Sequence, residues 1–348
     1  MRFHELPLSA QTAYAELAEQ TRTFETTNAL GGLVGSFQKL SRKGQAYWYF
    51  SYREPGGKAR MSYVGPDDER VRSLVERFRR SRREKPLAPQ ARSAIALGCA
   101  ATPPKHFRIV KRLADYGFFR AGGVLIGTHA FIAYGNLLGV RWEHGAATLD
   151  VDFAHAGKNV SIALPADLRI DVHGALESLE MGLLPIREFE GGAGAQYRNP
   201  HDQELRLDFV TSATRGRGPV AMPDLNLVLE PLKFMEFSLE DTTQACILGT
   251  AGACTVNVPA PERYAVHKLI VYGERPAAER TKARKDLLQA ASLAEHFAQA
   301  GEARAFNRAW NDALSRGAGW RKRAMAGKEA LLAIAADLDR PALWKEKP

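Results

Sequence analysis

Two aspartates separated by a single residue are the side chains of this sequence best suited to binding a metal ion. Asp150 and Asp152 lie in the stretch TLDVDF at residues 148–153, where acids alternate with apolar residues. Alternate side chains of a β-strand point to the same face, so a strand here presents both carboxylates together. Like charges this close repel unless a cation lies between them, and Mg²⁺ is bound by one or two carboxylates plus substrate phosphates. The pattern predicts a metal site; the alternative is an exposed edge strand with two solvated acids.

Two further segments are suited to completing such a site. The stretch GGVLIGTHA at residues 122–130 is typical of an apolar strand that leads into a helix through Gly127 and Thr128. The N–H groups at the start of a helix bind anions, and glycine lets a phosphate approach the backbone. Downstream, LRLDFV at residues 205–210 places Asp208 on one face of another strand. A third carboxylate can complete a second metal position or accept the proton of an attacking hydroxyl.

In this order and context, the sequence resembles the polymerase-β-like nucleotidyltransferase superfamily. The matching features are Ile126-Gly127-Thr128 before a helix, Asp150-Val151-Asp152 on a strand, and Asp208 on a later strand. It is similar in particular to bacterial standalone nucleotidyltransferase-fold proteins akin to toxin transferases of the abortive-infection type. That resemblance rests on TLDVDF, on LDFVT at residues 207–211, on VPAPERYAVHKL at residues 258–269 and on RKDL at residues 284–287, and it spans roughly residues 106–295.

The resemblance implies a metal-dependent enzyme that transfers a nucleoside monophosphate from a nucleoside triphosphate (NTP) to an acceptor hydroxyl and releases pyrophosphate. Two Mg²⁺ (or Mn²⁺) ions are expected as cofactors. Asp150 and Asp152 would bind both ions, and Asp208 would hold the catalytic ion and help to activate the acceptor, which attacks the α-phosphate in line. A transferase of the toxin type would also have a cognate antitoxin as a partner.

Basic residues near the end of the matching segment are candidates for binding the triphosphate. Lys268 lies on a predicted helix that begins at Pro261. The other nucleotide-binding candidates are cations that follow it in the sequence, namely Arg275, Lys282 and Lys285. Asp286 is expected either to orient Lys285 or to form a local ion pair. For each lysine the alternative is a solvated surface position.

The N-terminal region interleaves aromatic and basic residues. It predicts a helix over residues 9–27, then a three-stranded antiparallel meander over residues 35–40, 46–52 and 59–64, and then a very basic helix. Aromatic faces beside basic side chains suit stacking and phosphate contact with RNA or DNA. The nucleic-acid-binding candidates are Lys39, Arg42, Lys43, Tyr47, Tyr49 and Arg53. The alternative is a small docking domain with a charged outer face.

The elements that must position these groups predict an α+β fold in three domains. Residues 1–100 would hold the N-terminal helix, the meander and the basic helix. Residues 101–260 would form the nucleotidyltransferase core, a mixed sheet with helices, and residues 261–348 a C-terminal helical bundle. Residues 84–104 are expected to be a connection, and residues 139–147 a loop.

Composition agrees with a nucleotide-using protein of the cytoplasm. The 348 residues are 45% hydrophobic and 25% charged, as in ordinary globular proteins, and the net charge of +9 favours polyanions, although a scattered basic surface would explain it too. The three cysteines are far apart, which argues against a disulfide framework and against structural zinc. No apolar run approaches the ~20 residues that cross a bilayer, and no signal-peptide core begins the chain, so no membrane association is expected.

Three functions compete at this stage. The first is transfer to an RNA end of a tRNA-like kind, which the basic and aromatic N-terminal region favours. The second is a protein-modifying nucleotidyltransferase of the AMPylation type, in which that region recruits a protein. The third is a non-catalytic nucleic-acid-binding protein with the same fold. Unused buried carboxylates are energetically unfavourable, which argues against the third.

Overall fold

The computed structural model describes residues 1–27, 35–42, 44–53, 59–83, 87–156, 170–187, 193–213, 218–276 and 280–346. The strands in these ranges are β1 (Phe3–Glu5), β2 (Gly35–Arg42), β3 (Gln45–Arg53), β4 (Ala59–Pro66), β5 (Gly123–Leu125), β6 (Val140–Trp142), β7 (Asp150–His155), β8 (Leu184–Arg187), β9 (Ala193–Asn199), β10 (Asp202–Ser212), β11 (Val220–Met222), β12 (Leu227–Leu232), β13 (Thr242–Gly249) and β14 (Gly252–Pro259). The helices are α1 (Leu8–Thr27), α2 (Glu69–Arg83), α3 (Ala88–Ala96), α4 (Pro104–Asp115), α5 (Gly127–Leu137), α6 (Val172–Glu177), α7 (Met235–Leu239), α8 (Pro261–Glu274), α9 (Arg280–Gln299), α10 (Ala303–Ser315), α11 (Ala318–Ile334) and α12 (Pro341–Trp344). The predicted mixture of sheets and helices is confirmed.

A seven-stranded mixed sheet carries the candidate site. Its strands follow the order β11–β12–β10–β7–β5, and β9, which pairs with β8, joins the first half of β10 while β12 joins the second half. β7 and β10 are parallel, and β5 runs antiparallel to β7. Val151 and Phe153 on β7, with Leu207 and Phe209 on β10, are fully buried. Because side chains alternate along a strand, the acids between them share the opposite face.

The helices at the C-terminal end pack into the same hydrophobic core as this sheet. Ile270 on α8, Leu293 on α9 and Trp310 on α10 are fully buried there. The prediction that the chain is almost entirely helical after residue 260 is therefore confirmed, while the division into three domains stays a prediction. Among the described helices, none combines the length and apolar character that crossing a bilayer requires.

The N-terminal helix α1 packs on the β13–β14 hairpin together with α3, around a separate buried cluster that includes Leu17 and Leu248. Two expectations need correction here. The connection at residues 84–104 contains α3, which has a proline in its first turn. The loop at residues 139–147 contains β6, which pairs with β1 through partners such as Phe3 and Trp142. Such a pairing between distant segments leaves no local signal in the sequence.

The predicted meander and basic helix are confirmed. Strands β2, β3 and β4 form an antiparallel sheet in that order. Helix α2 then begins with an N-cap, because the carboxylate of Asp68 accepts a hydrogen bond from the Val71 amide at 2.8 Å. Trp48 on β3 packs against Val71 and Val75 on α2, so this unit has a small hydrophobic cluster of its own.

Candidate active site

Asp150, Asp152 and Asp208 lie on one face of the parallel pair β7–β10. The register places Asp152 opposite Asp208, and Asp150 opposite Arg206. Because the four residues occupy alternating positions, their side chains project from the same side of the sheet. The structure therefore brings together the three acids that the sequence predicted for metal binding, and it adds a guanidinium beside them.

Gly127 lies in close contact with Asp152. It opens α5 with a positive φ of 62°, and a Cβ built on it would lie 2.1 Å from Oδ2 of Asp152. The amide of Ile126 donates to the carbonyl oxygen of Asp152 at 3.0 Å, which extends the pairing of β5 with β7 up to the turn. Only glycine fits this close approach, and through it the N-terminus of α5, which favours anions, lies beside the carboxylates.

The acids are short of compensating charge. Burial raises the pKa of Asp152 to about 6, and the carboxylates of Asp208 and Asp150 act in the same direction. Burial also raises the pKa of Asp208, although the Arg206 guanidinium opposes it. A carboxyl group whose pKa rises because of neighbouring carboxylates is stabilised by an added cation. The electrostatics of this face therefore favour metal binding.

Arg206 supplies one cation from the protein itself. Its Nε lies 3.0 Å from Oδ1 and 2.9 Å from Oδ2 of Asp208. Both side chains are partly buried, so water screens this ion pair less than it would screen one at an exposed site. Arg206 thus neutralises part of the charge of Asp208 from two positions earlier on the same strand.

A cluster of basic residues on the C-terminal helices surrounds Asp286. The ammonium of Lys268 donates to Oδ1 of Asp286 at 2.6 Å, and the guanidinium of Arg275 lies 3.0 Å from Oδ2. Burial alone would raise the pKa of Asp286, but the charges of Lys268 and Arg275 keep it below its ordinary value. Lys285 is not a contact partner of this carboxylate; its ammonium donates to the Ala147 carbonyl oxygen at 2.6 Å.

Tyr264 and Gln289 connect this cationic cluster to the glycine turn. The hydroxyl of Tyr264 lies 2.9 Å from the carbonyl oxygen of Gly127 and 2.8 Å from Oε1 of Gln289. The amide of Gln289 donates to the Gly145 carbonyl at 2.8 Å, and the Lys268 ammonium lies 5.1 Å from the centre of the Tyr264 ring. The cations and the carboxylates are therefore parts of one continuous site.

A family model for nucleotidyltransferases matches residues 105–315, which is more than half of the chain. The chain belongs to this nucleotidyltransferase family. It is therefore an enzyme that uses an NTP as substrate. Among solved structures it is similar to the crystal structure of an antigenic nucleotidyltransferase-like protein from Paracoccidioides brasiliensis, with 14% identity, coverage of 70% of this chain and 94% of that chain, and a TM-score of 0.38. No curated protein matches the chain.

Nucleotidyltransferases generally use divalent metal ions, and the three strand aspartates are the candidate ligands of this one. Within the described ranges, no three His, Cys, Asp or Glu side chains already form a group that could hold a metal; Asp208 contacts Arg206 there. The donor chemistry fits Mg²⁺, because carboxylate oxygens are its preferred protein ligands.

The remaining predicted residues of the nucleotidyltransferase are distributed as follows. The side chain of Thr128 is buried, so this residue can offer an anion its backbone amide rather than its hydroxyl. Lys268 and Arg275 are brought together, and the side chain of Lys282 lies outside the described residues. Sequence reasoning missed Arg206 and Tyr264. Arg206 was detectable, because it stands two positions before Asp208 and so shares its face.

The nucleic-acid-binding candidates divide between the two faces of the meander. Tyr47 and Tyr49 contact Tyr63 on one face, with ring centres 6.1 Å and 5.6 Å apart, and the Arg42 guanidinium lies 5.9 Å from the Tyr49 ring. Lys39 alternates to the opposite face, where it pairs with Asp67 at 2.5 Å. Lys43 and the side chain of Arg53 lie outside the described residues.

Proposed function

We propose that this nucleotidyltransferase transfers a nucleoside monophosphate from an NTP to a hydroxyl group of RNA, with Asp150, Asp152 and Asp208 holding two Mg²⁺ or Mn²⁺ ions. The observation that carries the proposal is the register of β7 and β10, which sets Asp208 directly opposite Asp152. A glycine turn that opens a helix, an Asp-x-Asp strand and a parallel strand with a third acid support a polymerase-β-like core within residues 101–260.

Each group of the site has a role in this reaction. The triphosphate is attracted by the N-terminus of α5 and by the cations Lys268, Arg275 and Lys285. The same groups stabilise the negative charge that develops on the leaving pyrophosphate. Asp208 accepts the proton of the acceptor hydroxyl, whose oxygen forms a bond to the α-phosphorus while the bond to the bridging oxygen of pyrophosphate breaks. Bound divalent metal would add neutralisation of the phosphate charges and polarisation of the α-phosphate.

The RNA acceptor is supported by the meander, where tyrosines and arginine share an exposed face. Residues 1–100 would then recruit the acceptor, and residues 261–348 would supply cations to the triphosphate. A toxin role with a cognate antitoxin stays a prediction that rests on the resemblance alone.

The test is to incubate the purified protein with each α-labelled NTP, Mg²⁺ or Mn²⁺, and either total RNA or RNA-free lysate. Label in RNA, lost in Asp152→Asn, is the expected result. Label in protein would replace the RNA proposal with a protein-modifying transferase. Absence of transfer under every condition, with wild type and variant indistinguishable, would remove the proposed reaction.

A further inference from the structure

Nearly all of the net charge of the chain comes from one short segment. Residues 35–83 contain thirteen Lys and Arg against five Asp and Glu, which gives a net charge of +8 out of the +9 of the whole chain. The segment lies outside the residues that match the nucleotidyltransferase family. Such a concentration of positive charge attracts polyanions at long range.

The two faces of the meander in this segment differ in exposure. Phe37 and Phe50 contact Phe78 of α2, with ring centres 5.0 Å and 5.6 Å away, so this face is covered by the helix. On the other face, Tyr63 is 59% exposed and Met61 is 46% exposed. Large apolar side chains that stay this accessible on a sheet face are suited to binding a partner.

We propose that this second face, defined by Arg42, Tyr47, Tyr49, Met61 and Tyr63 and called here the tyrosine face, binds single-stranded RNA by stacking its bases. The inference rests on the proposed function, because that RNA would be the acceptor. Tyr47 and Tyr49 both lie within ring contact of Tyr63, which gives a continuous aromatic surface across β3 and β4.

The chemistry of the tyrosine face favours unpaired nucleotides over the alternatives. Stacking on an aromatic ring needs a free base face, which a duplex hides in its interior. Arg42 over the Tyr49 ring places a positive charge beside the stacking surface, where a phosphate of the same strand can reach it. An acidic peptide would bind to the positive charge, but it would not need the aromatic rings of the tyrosine face.

The experiment measures RNA binding directly, without NTP or metal. The full chain is titrated against a fluorescein-labelled oligouridine of about 12 nucleotides, and anisotropy gives the dissociation constant. The double variant Tyr49→Ala/Tyr63→Ala is expected to bind about 10- to 100-fold more weakly. Tyr49→Phe/Tyr63→Phe, which keeps both rings, is expected to bind within about twofold of wild type, and thermal melting confirms that both variants fold.

A matched pair of charge variants locates the phosphate contact. Arg42→Gln and Lys39→Gln remove the same charge from the same strand, but Lys39 projects from the face opposite the tyrosine face, where it pairs with Asp67. Arg42→Gln should reduce the slope of log affinity against log salt by about 0.7, the value for one contact with single-stranded nucleic acid. Lys39→Gln should leave the slope unchanged.

Three results would overturn the tyrosine face as an RNA site: full affinity in the double alanine variant, equal affinity for an RNA hairpin duplex, or transfer of label to protein with no RNA binding. The proposed function and the tyrosine face can be disproved independently of each other. Tight binding through the tyrosines without any transfer to RNA would leave the tyrosine face intact and contradict the reaction, whereas transfer to RNA with unchanged binding in the alanine variant would do the reverse.

Discussion

Asp152 and Lys268 belong to two halves of the candidate active site that are held in place by different means. Asp152 sits on a strand whose register with β10 and whose buried apolar face leave it little freedom. The ammonium group of Lys268 lies at the end of a long, flexible side chain on α8, and the carboxylate of Asp286 holds it in place. The backbone positions the acids, whereas a single buried carboxylate positions Lys268 and Arg275. Changes in the first half should therefore affect the chemical step, and changes in the second should affect substrate binding.

The largest effect is expected from Asp152→Asn. The substitution keeps the shape of the side chain but removes the charge that the metal needs, so kcat should fall by at least about 100- to 1000-fold. The melting temperature without metal should not fall, because a buried charge beside two other carboxylates is unfavourable. Single-turnover transfer and thermal melting measure the two quantities. Asp202→Asn is the control, since Asp202 begins the neighbouring strand β10 and forms a surface pair with Lys105; equal loss in both variants would contradict the assignment.

Gly127→Ala tests whether the glycine turn fixes the acid. The new Cβ would lie 2.1 Å from Oδ2 of Asp152, so the carboxylate must move, and a displacement of about 1 Å can reduce the rate about 100-fold. Gly301→Ala separates this clash from backbone strain, because Gly301 also has a positive φ, 75°, but its Cβ would meet no atom within 4 Å. That control should lose about 1 kcal/mol of stability and keep its activity. Equal activities of the two variants would show that the close contact has no catalytic importance.

Asp152→Asn and Gly127→Ala test two features of the site that were predicted from the sequence, the aspartate pair and the glycine turn. The spacing of Asp150 and Asp152 predicted a shared face from strand alternation alone. The glycine before a helix predicted the close approach of a phosphate, and the group that lies against it in the structure is the carboxylate of Asp152. Both are local properties, because a strand or helix start carries its own periodicity and its own φ requirement. The predicted helix over residues 9–27 is confirmed for the same reason, although it begins at Leu8.

What the sequence did not predict depends on contacts between distant segments. For Asp286 the sequence left open whether it orients Lys285 or forms a local ion pair, and consecutive residues on a helix point in different directions. Its partners are Lys268 from α8 and Arg275, the first residue after it.

Asp286→Asn should affect binding more than chemistry. With the carboxylate gone, Lys268 and Arg275 lose their shared partner, so the KM for NTP should rise about tenfold while kcat changes less. Stability should fall by about 1–3 kcal/mol. Because the pKa of Asp286 lies below its ordinary value, its stabilisation is present above pH ~4 and disappears as the pH falls, so the difference in melting temperature should narrow in acid.

The control for that variant is Asp312→Asn. Asp312 is likewise held between two cations, Arg263 at 2.8 Å and Arg316 at 2.9 Å, but it lies on α10 and neither arginine is a candidate for binding the triphosphate. It should lose stability in a similar way and keep its KM for NTP. A rise in KM in both variants would mean that the effect comes from general loosening of the helices.

The smallest effect is expected from Arg206→Gln, and it tests the metal affinity of the acid half directly. Arg206 neutralises part of the charge of Asp208, so removing it should strengthen Mn²⁺ binding about 3- to 10-fold, as measured by titration calorimetry or by the free Mn²⁺ signal in electron paramagnetic resonance. Arg198→Gln is the matched comparison: Arg198 pairs across from Arg206 on β9 and its charge also acts on Asp208, but it is exposed to solvent, so screening should make its effect on Mn²⁺ binding smaller than that of Arg206→Gln. Weaker Mn²⁺ binding in Arg206→Gln would reverse the interpretation: the guanidinium would then serve to hold Asp208 in the orientation that the metal requires, and even the strand-borne acids would need a side chain to position them.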